Sequence, residues 1–162
     1  MLVRTRTLVL ASLLCFSVPT FVGQAFGQSK ALVQGHTETI KAKLGSTVEV
    51  HLPLELREGF HVNSNTPADK TLIPLKITWK EGLLGPTEVI FPKPVMEKFQ
   101  FSKDLLSVFT GNFEVVTKFK VAPTAPPGPA AINGVVRYQA CNDRGCQFPT
   151  NLNVAVQVML VR

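Results

Sequence analysis

Hydrophobic and polar residues alternate with a period of two through most of this chain. Val48, Val50, Leu52, Leu54 and Leu56 are separated by Glu49, His51, Pro53 and Glu55. The same rhythm returns in Ile73, Leu75, Ile77 and Trp79, and in Phe113, Val115, Thr117, Phe119 and Val121. It recurs in Ile132, Val136, Tyr138 and Ala140, and in Leu152, Val154, Val156, Val158 and Leu160. Side chains on a strand point to alternate faces, so each run predicts a strand with one dry and one wet face. Shorter runs at 36–43 and 87–91 predict two more. About seven such strands separated by turn residues predict an all-β fold, an immunoglobulin-like antiparallel β-sandwich. Helical periodicity is almost absent: only 96–106 could carry a short turn, and it has no apolar stripe. The proline-rich run 122–130 (APTAPPGPA) is too near the end to separate two domains. It reads as a stiff extended loop between two strands of one sandwich.

The first residues follow a different rule. Arg4 and Arg6 precede an apolar stretch from Leu8 to Val22, and the small-x-small triplet Ala25-Phe26-Gly27 follows. This is the layout of an export signal, residues 1–27, cleaved before Gln28. Ser12, Ser17 and Pro19 interrupt the stretch and make it a poor membrane anchor. Leu13 and Leu14 are too bulky to precede a lipidated Cys15. Residues 28–162 are then one exported, periplasmic domain that does not enter a membrane after cleavage. Losing the two arginines lowers the formal charge from +6 to +4. The remaining lysines are scattered over wet strand positions, which argues for a solvated surface and against a nucleic-acid partner.

Cleavage also leaves a single cysteine pair, Cys141 and Cys146, in the run VVRYQACNDRGCQFP. One close pair in an exported protein is a candidate for disulfide chemistry. The odd parity of Cys141 points its thiol away from the core. Asn142 to Gly145 is turn chemistry, with Gly145 free to take a positive φ. The two sulfurs are therefore expected at the mouth of a hairpin, exposed and close enough to bond. A bridge closing so short a loop stabilises by roughly 2 kcal/mol, little for a domain able to bury a core of its own. A passive hairpin staple is the plain alternative to an exchanging disulfide. A metal site built from the cysteines with His36, His51 or His61 is a third, although no histidine is near them in sequence. His61 itself reads as an ordinary loop histidine and Trp79 as core. No cofactor motif and no paired acids stand out.

The run RYQACNDRGCQFP, with the upstream loop GFHVNSNTPADKTLIPLKI, resembles the amino-terminal periplasmic domain of the thiol:disulfide interchange reductase DsbD. The resemblance extends over roughly Thr37 to Leu160. It implies an immunoglobulin-like fold and a redox-active pair at Cys141 and Cys146. It also implies electrons arriving from a membrane thiol reductase and leaving to disulfide-bearing periplasmic proteins, so that the chain is a component of a protein-disulfide reductase system. Members of that family shield the pair with an aromatic cap loop, which by chain order falls at 97–103. Phe99 and Phe101 are then candidate cap residues, and Tyr138 a candidate cap or partner contact. A typical member continues into membrane and thioredoxin-like domains, whereas this sequence ends at Arg162, so reduction is expected to come from a separate protein. The competing expectation is a non-catalytic binding or assembly module with a structural disulfide.

Overall fold

The structure is a computed structural model that describes residues 30–162; the expected signal segment and Cys15 lie outside the described residues. The first strands are β1 (Leu32–Gln34), β2 (Ile40–Lys43), β3 (Thr47–Leu56), β4 (His61–Asn63), β5 (Lys76–Trp79), β6 (Leu84–Ile90) and β7 (Val95–Lys98). There follow β8 (Leu105–Thr110), β9 (Asn112–Val121), β10 (Gly128–Tyr138), β11 (Ala140–Asn142), β12 (Gly145–Cys146) and β13 (Thr150–Val161). The fold is all-β, an immunoglobulin-like sandwich. Two four-stranded sheets, ordered β1-β3-β9-β6 and β2-β13-β10-β5, form its layers. A third sheet, β12-β11-β4-β8-β7, is built onto them.

The long strands obey the alternation of the sequence. Along β13 every second residue from Leu152 to Leu160 is buried, and along β3 the buried set is Val50, Leu52, Leu54 and Leu56. These faces meet in one core with Val115, Phe119 and Val121 of β9 and Ile132 and Val136 of β10. Removing this apolar surface from water is the main favourable term in folding. Trp79 ties the layers together, as its core parity predicts. Its ring meets Phe119 edge-on at 5.2 Å, and its Nε1 donates to Thr117 Oγ1 at 3.1 Å. The indole lies across β10 at Gly134, where an added Cβ would sit 2.6 Å from Cε3. Only glycine admits that approach.

All strand pairs are antiparallel except β2 with β13, which run parallel. Between β1 and β2 the chain crosses from an edge of one sheet to an edge of the other. The Gln34 side chain spans the same gap, donating to Ala155 O at 2.7 Å and accepting from Ala155 N at 2.9 Å. The proline-rich run 122–130 links β9 to β10, with Pro129 already in the strand opposite Met159.

The turn anticipated at 96–106 is instead a hairpin. Residues 95–98 and 105–110 are strands β7 and β8, joined through 99–104. The joining turn closes on itself through Ser102 N to Phe99 O, Ser102 Oγ to Asp104 O, and Lys98 Nζ to Lys103 O. The segment read as a loop from Gly59 holds strand β4, the middle of the third sheet.

Candidate functional site

After Tyr138 the chain leaves the sandwich, passes Gln139, and continues as β11 in the third sheet, paired with β4. The hairpin β11–β12 is tight. Asn142 Oδ1 accepts from Arg144 N at 3.0 Å and Gly145 N at 3.2 Å, and Gly145 takes φ 146°, as its place in the turn requires. This register sets Cys141 directly opposite Cys146, and they form a disulfide with Cα atoms 3.9 Å apart. Two further bonds close the open end of the hairpin, Gln147 N to Ala140 O at 2.8 Å and Gln139 Nε2 to Gln147 O at 3.0 Å.

Directly opposed residues in antiparallel strands share a face, their Cβ atoms about 4.5–5.5 Å apart. The pairings therefore write two rows across the third sheet. Phe109, Val62 and Ala140 form one, and all three belong to the sandwich core. Thr110, His61, Cys141 and Cys146 form the other, on the opposite face. Parity thus does turn Cys141 away from the core, but not into water. Cys141 is 1% exposed, so the expectation of two exposed sulfurs holds for Cys146 alone. Alternation reports which face a side chain takes and is blind to whether another segment covers that face.

Within this row His61 is covered by the β7–β8 turn. Phe99 stacks on the His61 imidazole, ring centres 3.8 Å apart and planes 19° from parallel. Phe101 stacks on Phe99 at 5.5 Å and lies 6.3 Å from His61, with 44% of its surface exposed. The structure thus brings both phenylalanines to the residue beside Cys141. His61, read from sequence as a loop residue, is 3% exposed on a central strand, and its Nε2 is buried without a hydrogen-bond partner. Leaving such a group unmet costs about 1–3 kcal/mol. Burial also pulls the imidazole pKa below its ordinary value, so the ring is neutral at pH 7.

Tyr138 is placed differently from Phe99 and Phe101. It is almost fully buried in the core, where burial pushes the phenol pKa up and leaves the hydroxyl without a hydrogen-bond partner. Only one flank reaches the wall of a cleft of about 640 Å³ beside Cys146, which Lys30, Gln147, Phe148 and Pro149 also line. Phe148, two residues beyond Cys146, is 93% exposed. Nothing in the period-two pattern marks it, because it lies after the last residue of the hairpin.

The other histidines do not join this row. His51 sits on the exposed face of β3 with Nδ1 2.6 Å from Glu114 Oε1, and it lines a separate surface cleft with His36. Among the described residues no group of three His, Cys, Asp or Glu side chains is arranged to hold a metal ion.

No protein-family model matches the chain, and no curated protein sequence matches it. Similar solved structures include the DsbD n-terminal domain of Neisseria meningitidis in its reduced form. That match has 19% identity and a TM-score of 0.40 over 65% of this chain and 74% of that one. The seventh ScaB type I cohesin of Pseudobacteroides cellulosolvens matches at 15% identity and TM-score 0.42, over 80% of this chain and 90% of the cohesin. AggA, the major subunit of aggregative adherence fimbriae type I from Escherichia coli, matches at 11% and 0.35, over 82% and 97%. A redox domain, a cohesin and a fimbrial subunit differ in what they do. Likeness this distant does not choose among them, and the function has to be argued from the site.

Proposed function

We propose that this chain is an exported thiol–disulfide exchange domain whose working pair is Cys141 and Cys146. The observation that carries the reading is the asymmetry of the pair: one sulfur-bearing residue is open to a partner, the other is buried against His61. Exchange requires a thiolate to approach a disulfide sulfur in line, which an exposed Cys146 permits and a buried Cys141 does not. In the reduced domain Cys146 attacks one sulfur of a partner disulfide, and the partner's other sulfur leaves as thiolate. Cys141 then attacks Cys146 Sγ, the domain's bridge re-forms, and the first partner sulfur departs. Two electrons pass to the partner. A membrane thiol reductase restores the dithiol by the reverse sequence, and disulfide-bearing periplasmic proteins are the acceptors. Phe99 and Phe101 act as a lid on the buried side of the pair, and the cleft beside Cys146, with Phe148 at its rim, receives the partner. The chain is in this sense a component of a protein-disulfide reductase system, delivered by a cleaved signal at 1–27. Among the described residues no helix is long and apolar enough to cross a membrane.

The test is the reduction potential of the pair together with trapping. An exchanging disulfide should lie above roughly −300 mV and a structural one below it. Expressed in a periplasm, Cys141→Ala should accumulate mixed disulfides through Cys146, and Cys146→Ala should accumulate few. A potential in the structural range, with no partner captured by either variant, would leave a binding module whose docking surface is the Phe148 cleft.

A further inference from the structure

The row that holds the disulfide also holds a buried titratable side chain. His61 stands directly across from Cys141 on the same face of the sheet, and Cys141 stands directly across from Cys146. Its Nε2 is buried and unpaired. Buried polar atoms without a partner are rare in folded proteins, and one beside a reactive group calls for a chemical explanation. The stacked Phe99 holds the ring in place and keeps water from its face.

We propose that His61 is the proton acceptor for Cys141 in the step that closes the disulfide. This rests on the exchange reading above and assigns within it a role that the cysteines alone leave open. Cys141 is buried, so its thiol cannot shed a proton to bulk water as it attacks, and the thiol itself is a poor nucleophile. With Cys146 held in a mixed disulfide, the Cys141 S–H proton passes to the neutral imidazole while Cys141 Sγ attacks Cys146 Sγ. The Cys141–Cys146 bond forms, and the bond from Cys146 to the partner sulfur breaks. The partner leaves as a thiolate and carries off the proton from the imidazolium. Run backwards, the same imidazolium protonates Cys141 as it leaves during reduction.

The surroundings suit a neutral acceptor. The ring is met by Thr110 from β8, Cys141 from β11 and Phe99 from the β7–β8 turn, none of which carries a fixed charge. The charged groups of the neighbouring turns, Lys98, Lys103 and Asp104 on one side and Asp143 and Arg144 on the other, are exposed. Among the described residues His61 takes part in no ion pair, and burial lowers its pKa, which favours the neutral acceptor form.

The experiment follows the reduced full-length mature domain as it reacts with 5,5′-dithiobis(2-nitrobenzoate), an aromatic disulfide standing in for a partner. Cys146 releases the first thionitrobenzoate at a rate proportional to reagent. Cys141 releases the second as the ring closes, at a rate independent of reagent. In His61→Phe, which keeps an aromatic ring against Phe99, the second phase at pH 7 should slow on the order of 100-fold, the lower range for general-base assistance, with the first phase unchanged. The lost rate should return as pH rises and the thiol ionises unaided. His61→Gln serves as a second variant with a polar replacement. The wild-type profile provides a measurement that needs no variant: its second phase should bend below the ordinary histidine value of 6.5. A bend near the free thiol value of about 8.5, or equal second-phase rates in wild type and variants, overturns the proposal. Failure of the exchange reading is seen elsewhere, in the potential and the trapped partners, neither of which depends on where the Cys141 proton goes.

Discussion

Val62 and His61 are consecutive residues of one short strand, and the two faces they take follow opposite physics. The Val62 row runs through Phe109 and Ala140 into the sandwich core, where Phe109 stacks with Phe113 at 5.0 Å and Phe91 at 6.4 Å. Every atom it buries is apolar, and its worth is set by area and close packing. The His61 row buries the Cys141 side chain and an unpaired ring nitrogen, with Phe99 stacked on the imidazole and Phe101, almost half exposed, stacked on Phe99. Burial there costs free energy as well as supplying it, so that face adds little to stability. On the proposed function, what it gains is control over a proton and over access to a sulfur. On that reading the third sheet separates holding from reacting by the thickness of a single strand, and substitutions on its two faces should affect different measurements.

The sharpest way to break that comparison is Phe109→Ala. Truncating a buried phenylalanine in a packed cluster should cost about 3–5 kcal/mol, read as a lower urea midpoint. The rate at which the reduced pair reacts with a disulfide reagent should not move under folding conditions. A loss below about 1 kcal/mol would mean that this face is not core, and the contrast with His61 would collapse.

The two faces were also unequally legible in the sequence. Strands β3, β9, β10 and β13 are ten to twelve residues long, and each keeps one dry face for most of its length. That is the condition under which a period of two appears at all. The third sheet violates it. All three residues of β4 are buried, all four of β7 are exposed, and β8 buries four in succession. With both faces covered or both bare, no alternation survives, so β4 reads as loop and 96–106 as a turn. Within the site, the cysteines and Gly145 were visible because their chemistry is local to a hairpin. Phe99 and Phe101 entered only through family resemblance. His61 reads as a loop histidine because its partners, Cys141 and Phe99, are 80 and 38 positions away along the chain, and nothing in GFHVNSN indicates that contact.

A second substitution tests the reacting face. Cys141→Ala/Cys146→Ala should fold and lose only about 2 kcal/mol against the oxidised protein, the entropy of one short closed loop. Far-ultraviolet circular dichroism through a urea titration checks both halves of that statement. The hairpin keeps Asn142 Oδ1 on two backbone amides and Gln147 N on Ala140 O without the bridge, which is why it should survive. A loss beyond about 4 kcal/mol would exceed what loop closure supplies for so few residues. The disulfide would then be a staple for the third sheet, and reacting and holding would not be separate.

The smallest effect on stability, and the finest test of the lid, belongs to Phe101→Ala. Phe101 touches the site through Phe99 and has 44% of its surface in water, so its removal leaves a dent and not a sealed cavity. The cost should stay near 1 kcal/mol, well under the range for a core ring. Its effect on access should be larger than that cost suggests. In a Cys146→Ala background the lone Cys141 thiol is reachable only when the roof opens, so its alkylation by iodoacetamide reports the opening equilibrium. Phe101→Ala should speed that reaction, and Phe99→Ala should speed it further, because Phe99 lies directly on His61 at 3.8 Å. The order matters more than either rate: a lid predicts that reactivity rises from wild type through Phe101→Ala to Phe99→Ala while stability falls only slightly. If both substitutions cost as much as Phe109→Ala and leave alkylation unchanged, the two rings are packing for the sheet. Cys141 would then owe its burial to the strands beside it, and the partner's access would be governed at Cys146 alone.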